Sequence, residues 1–179
     1  MEIGKTSTEM RIGMKLEIET KINVAELYEF TINHNYKSFH GIVSLLFSIA
    51  SAVGAVVFWD RLSIMNRVLI ILFALMFTVF EPVGCYIKVR KQVKNAFSQP
   101  IKYIFDKNGL KIVQGEASAQ CQWHEIMKVT STKNLVNVYT TPVRAFILPK
   151  KDIGQQFEDL KKLMQDNTQC LKFDMRNGD

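Results

Sequence analysis

Cys121 and His124 stand with two residues between them, a spacing at which a thiolate and an imidazole can share a metal ion. Zinc needs three or four such ligands. The remaining histidines, His34 and His40, and the remaining cysteines, Cys85 and Cys170, supply no second pair at a suitable interval. Cys121 is therefore expected as a core thiol and His124 as an exposed strand-end residue, with no metal and no cofactor. Nucleophilic and phosphate chemistry lack their signatures too: the chain has no G-x-S-x-G and no glycine-rich phosphate loop. The expectation is a protein that is not an enzyme. One acid stands out. Glu81 lies inside an apolar run, next to Pro82. An ionisable residue within a membrane span is a functional candidate by default. Glu81 is a possible intramembrane polar site, although its position near the end of the run suits a structural role.

The apolar runs must position that acid. Gly41 to Trp59 carries no charge over 19 residues, close to the length needed to cross the hydrocarbon core. A first span is expected over 40–60. Val68 to Ile87 gives a second, over 68–87, with Glu81 as its single charge. A short outside loop, 61–67, joins them into a hairpin, and Arg67 can snorkel to the interface. Ser44, Ser48, Ser51 and Ala55 recur at offsets of 4, 7 and 11, a small-residue stripe expected to face the second helix. Lys88, Arg90, Lys91 and Lys94 follow the second span and Lys37 precedes the first, against Arg61 and Arg67 in the link. This bias predicts a multi-pass protein of the cell (inner or plasma) membrane with both termini cytoplasmic. The same basic residues can also meet anionic head groups, at about 1 kcal/mol each.

Outside the hairpin the pattern changes period. Ile12, Met14, Leu16, Ile18 and Ile22 fall on even positions with polar residues between them, a half-buried strand. Asn23 and Glu26 fit a reciprocal helix cap, with a helix from about Val24. Later, "IKYIF" and "LKIVQ" flank Asn108-Gly109, a strong hairpin signal. Ala117, Ala119, Cys121 and Trp123 alternate with polar residues, predicting a third strand with Trp123 inward. "MKVTST", "LVNVYT" and "RAFIL" read as further strands, the last ended by Pro149. Asp152 is expected to cap a final helix, in which Ile153, Phe157, Leu160 and Met164 recur at helical offsets. The fold class expected is an α+β membrane protein. Its antiparallel β meander or partial barrel is closed by a C-terminal amphipathic helix, and a two-helix hairpin is inserted into it. Residues 1–10 are expected as a flexible start, 11–39 as the strand and helix that join the soluble part, 88–172 as a cytoplasmic β domain and 173–179 as a flexible tail.

Charge follows this division. Residues 88–179 hold 16 Lys/Arg against 9 Asp/Glu, while residues 1–39 hold 5 against 6. The overall +6 therefore belongs to the part after the hairpin. Lys150 and Lys151, with Lys161 and Lys162, give a basic patch too sparse for nucleic-acid recognition, which adds a denser stripe and a reader element. Its sharper reading is a lipid-facing patch. The first ten residues are polar rather than secretory in character, and three widely spaced cysteines argue for reduced thiols rather than a disulfide framework.

Trp123 and Ile126 in "WHEIMKV", with "AFILPK" from Ala145 to Lys150, resemble the YcxB-like membrane proteins. The order of strand, two-span hairpin, meander and helix is similar as well. That resemblance implies a soluble part like bacterial pleckstrin-homology-like domains, with Trp123, Ile126 and Pro149 as packing residues, and a membrane location. It implies no settled activity. The leading expectation is a membrane-anchored interaction or regulatory module that contacts lipid and either a protein partner or itself, and no nucleic acid. An anionic-lipid-responsive domain is the alternative, and a small oligomeric transport or channel component a further one.

Overall fold

A computed structural model describes residues 15–177. They form two compact units: the residues up to Glu26 with those from Asn95 onward, and the segment Leu27–Lys94. The expected strand positions Ile12 and Met14 lie outside the described residues.

The first unit is α+β. Strand β1 (Leu16–Thr20) pairs antiparallel with β2 (Ile101–Asp106), Leu16 opposite Phe105 and Thr20 opposite Ile101. β2 turns into β3 (Gly109–Gln114) through the predicted hairpin. The Asp106 carboxylate accepts the backbone N–H groups of Asn108 at 2.7 Å and Gly109 at 3.2 Å, which replaces backbone bonding in the turn. Gly109 has φ 144°, and a Cβ there would stand 2.2 Å from the Cys121 carbonyl oxygen, so only glycine fits. β3 pairs with β4 (Ala117–Gln122), completing a four-stranded sheet in the order β1-β2-β3-β4.

A second sheet follows, in the order β7-β6-β5-β8. It contains β5 (Lys128–Ser131), β6 (Leu135–Tyr139), β7 (Ala145–Pro149) and the two-residue β8 (Lys172–Phe173), which lies parallel to β5. Every residue of β6 is buried, so both faces of that strand are covered. The Tyr103 ring meets Phe146 edge-on at 6.4 Å and its hydroxyl bonds the Ile147 backbone, tying β2 to β7. Neither sheet closes into a barrel among the described residues.

Two short helices follow β7: α4 (Lys150–Ile153) and, after a single 3-10 turn, α5 (Phe157–Asn167). Phe157, Leu160, Leu163 and Met164 are buried along one side of α5, as its periodicity requires. Asp152 is not its cap. Gly154 at φ 53° breaks the chain after Ile153, Gln156 takes the N-cap position without a side-chain bond, and the Asp152 carboxylate instead accepts the Thr20 hydroxyl of β1. Residues 173–176, expected as part of a flexible tail over 173–179, belong to the fold: Phe173 pairs in β8, Met175 is buried, and the Arg176 carbonyl accepts the Ser131 hydroxyl at 3.1 Å.

The second unit is helical. α1 (Val24–Lys37) starts at the predicted cap: the Asn23 side chain accepts the Glu26 N–H, the Glu26 carboxylate accepts the Asn23 N–H, both at 2.9 Å. α2 (Phe39–Val57) is capped by Ser38 and bends 74° away from α1. Gly41 sits at this bend, where a Cβ would lie 2.1 Å from the Asn35 carbonyl oxygen. After a single 3-10 turn, Ser63 caps α3, which runs unbroken over Ile64–Ala96. This outruns the expected 68–87 at both ends. Ser63 starts it early, and the Lys, Arg and Gln residues after Ile87 are good helix formers. Pro82 does not break it. Residues Met76–Phe80 widen into a π turn in which Glu81 N–H bonds Met76 O, and the proline, which offers no N–H, is absorbed there.

α3 is long and apolar enough to cross a membrane by length and composition, and the bent α1–α2 pair passes the same test if it counts as one span. Of the most apolar window of α3, 6% is buried, and the large apolar residues of α2 are likewise mostly exposed. Phe47 meets Phe73 at 6.5 Å where α2 and α3 pack, and the Arg67 guanidinium stacks 4.8 Å from the Trp59 ring centroid.

One buried group in β6 lacks a partner. Asn137 is 2% exposed and its Oδ1 makes no hydrogen bond among the described residues. An unsatisfied buried amide is destabilising, so Asn137→Val should raise the unfolding free energy of the full chain by about 1 kcal/mol, read from denaturant midpoints at unchanged slope.

Candidate functional site

Three features could meet a ligand or partner: the corner after β4, the β4 edge, and a groove in the helical unit. The corner begins where β4 ends. Gln122 and Glu125 cap a 3-10 turn over Trp123–Glu125 reciprocally, the Glu125 carboxylate taking the Gln122 N–H at 2.7 Å. This turn carries Trp123 out of the strand and under the first sheet. Its ring stacks on Phe105 with centroids 6.4 Å apart, and its Nε1–H donates to the Asp106 carbonyl at 3.0 Å. Trp123 is thus a lock on the β2–β3 turn rather than a strand residue. The expected inward alternation along β4 fails as well, since Ala117 and Ala119 are exposed and Cys121 alone of that strand is buried. Ile126 and Pro149 are buried in the same unit.

Desolvation pushes the Cys121 thiol up to about 11, helped by the nearby Glu125 charge. His124 is exposed. Among the described residues no cluster of His, Cys, Asp or Glu is arranged to hold a metal. A cavity of about 320 Å³ beside this corner is lined by Asn108, Gln122, Trp123, His124, Asn167 and Gln169, a set of amides with one imidazole. Amides are poor acids, bases and nucleophiles, so this lining offers hydrogen bonding and little chemistry.

Residues 105–164 match the family model for YcxB-like protein. This stretch is similar to the YcxB-like family. It runs from Phe105, the partner of Trp123, to Met164 in the core of α5, and takes in Trp123, Ile126 and Pro149. The match is narrower than the nearly whole-chain resemblance expected from the layout, and it leaves out β1 and the helical unit. No curated protein and no solved structure matches the chain.

Within the YcxB-like stretch, β4 forms one edge of its sheet. Among the described residues it pairs with β3 alone; it holds neither charge nor proline in "ASAQCQ", and leaves all its residues but Cys121 exposed. Natural edge strands are commonly guarded by lysine, proline or a covering element, and β4 has no such charge or proline. Local sequence gives a strand here but not its edge position, which depends on pairing.

The basic residues divide. Lys151, itself exposed, makes a 2.6 Å ion pair with Glu26, which raises the lysine's affinity for its proton. Lys150 follows the strand end, where its N–H bonds the Asn134 carbonyl at 2.8 Å. Lys88, Arg90, Lys91 and Lys94 are exposed along the last turns of α3. In the helical unit, Ser44 and Ser48 are buried and Ser51 and Ala55 half-buried on one side of α2, while Leu45, Leu46 and Ile49 are exposed. Glu81 is half-buried and lines a groove of about 350 Å³ with Thr31 and Asn35 of α1 and Gly84, Lys88 and Gln92 of α3. The offsets of 3, 7 and 11 from Glu81 were visible in the sequence; the α1 wall opposite was not.

The Cys121 environment makes a chemical prediction. A thiol whose pKa is raised stays protonated and unreactive at pH 8. With Cys85 and Cys170 replaced by serine, Cys121 should remain unmodified by iodoacetamide in the folded chain and react fully once denatured, as read by mass spectrometry.

Proposed function

We propose that the chain is a non-catalytic, membrane-anchored interaction module. The hairpin of α2 and α3 anchors it in the cell membrane with both termini cytoplasmic, and β4 receives an extended segment of a protein partner. The observation that carries this reading is the uncharged, exposed edge of β4. An unguarded edge presents a row of backbone donors and acceptors, and a peptide that adds as a further strand satisfies them. The exposed apolar surface of α3 supports the anchor, because a helix of a soluble core with that composition would be covered. The amide-lined cavity beside Trp123 adds hydrogen-bonding groups and no catalytic set.

Lys88, Arg90, Lys91 and Lys94 favour a second reading, a domain that responds to anionic lipid, since all four are exposed and none makes an ion pair among the described residues. Such binding would fade at high salt, whereas strand addition would not.

A photo-crosslinking residue at Gln120 should capture one dominant protein in native membranes. Ser118→Lys with Gln120→Lys, both exposed positions, should cut a crosslink placed at Ala119 by at least about tenfold, the equivalent of 1.4 kcal/mol, without loss of folding. Crosslinks to lipid alone, or a partner indifferent to the two lysines, would overturn the edge as the contact.

A further inference from the structure

We propose that the groove between α1 and α3 holds the head group of a phospholipid carrying a primary ammonium beside its phosphate. The inference rests on the membrane-anchored reading. Its basis is the pairing of opposite charges in one groove without neutralisation. Glu81 and Lys88 both line it, and neither makes an ion pair among the described residues. They stand seven residues apart on one face of α3, a rise of about 10 Å. Helical side chains lean towards the N-terminus, so Lys88 leans towards Glu81 and the space between them is bounded by a carboxylate at one end and an ammonium at the other.

A ligand that satisfies both ends must carry both charges. The Glu81 carboxylate rewards an ammonium with N–H donors, and Lys88 offers a compact positive charge to a phosphate. Thr31, Asn35 and Gln92 add neutral hydrogen-bonding groups along the walls. A head group bearing only negative charge would meet Glu81 unfavourably, and a quaternary ammonium would bring it no N–H. Gly84 leaves room, because a Cβ built there meets nothing within 4 Å. The neighbouring Phe80, Val83 and Ile87 are 64%, 51% and 51% exposed, an apolar border suited to acyl chains and unsuited to a free, soluble zwitterion.

The test uses the full chain reconstituted in phosphatidylcholine bilayers containing equal minor fractions of phosphatidylethanolamine and phosphatidylglycerol. Lipid retained after mild detergent extraction is identified by mass spectrometry. Phosphatidylethanolamine should be enriched about fivefold over both other lipids, relative to the bilayer. Glu81→Gln should return the ratio to that of the bilayer, and so should Gly84→Leu, which fills the open space without altering charge. Enrichment of phosphatidylglycerol that survives Glu81→Gln would reduce the groove to a basic rim and overturn the proposal. A chain that inserts but retains lipid in bilayer proportions overturns it while leaving the anchored reading intact. Failure to insert at all overturns both.

Discussion

A buried carboxylate ties the segment after β1 to the turn that follows β7, across more than a hundred residues of sequence. Glu26 accepts the Asn23 N–H and so starts α1, and its second oxygen takes Lys151 of α4 at 2.6 Å. Its neighbour in this corner is the bond from Thr20 to Asp152. Glu26 and Thr20 are 7% and 2% exposed, so these polar groups are buried together and each is satisfied. Removing Lys151 or Asp152 would leave Glu26 or Thr20 without that partner in a buried position, whereas Lys151, 57% exposed, would regain water. Through this corner, β1 and the start of α1 are held to the turn that follows β7.

That corner gives the YcxB-like stretch its setting. Residues 105–164 contain most of the core, including Trp123 locked under Phe105 and the buried side of α5. Yet the stretch begins at the last residues of β2, and the partner of that strand, β1, comes from far upstream. The sheet therefore has one edge supplied by a distant segment and the other, β4, without a further strand among the described residues. The open edge is the more informative half of this asymmetry for function, because pairing groups are available there without any rearrangement.

Much of this was legible locally. The Asn23 and Glu26 cap, the Asn108-Gly109 turn and the spacing of Phe157, Leu160 and Met164 each depend on residues within one or two turns, and each stands in the structure as the pattern predicts. What could not be read depends on distant partners. Trp123 continues an alternating pattern but leaves the strand because Glu125 caps a turn at Gln122. Ala117 and Ala119 alternate as core residues do, yet β4 has an uncovered side. Asp152 carries the signature of a helix cap and spends it on Thr20. The helix α3 runs beyond the apolar run 68–87 because lysine and arginine extend a helix well.

The interrupted order of the sheet also has a consequence for synthesis. Thr20 pairs with Ile101, so about 80 residues, including α2 and the greater part of α3, are made before the first strand can meet its neighbour. At elongation rates of roughly 5–20 residues per second, that is a wait of several seconds. During it, the apolar face of β1 has no cover, and β2 then enters with two unsatisfied neighbours. Completion of the sheet is thus a late event, possible only after both apolar helices have been made.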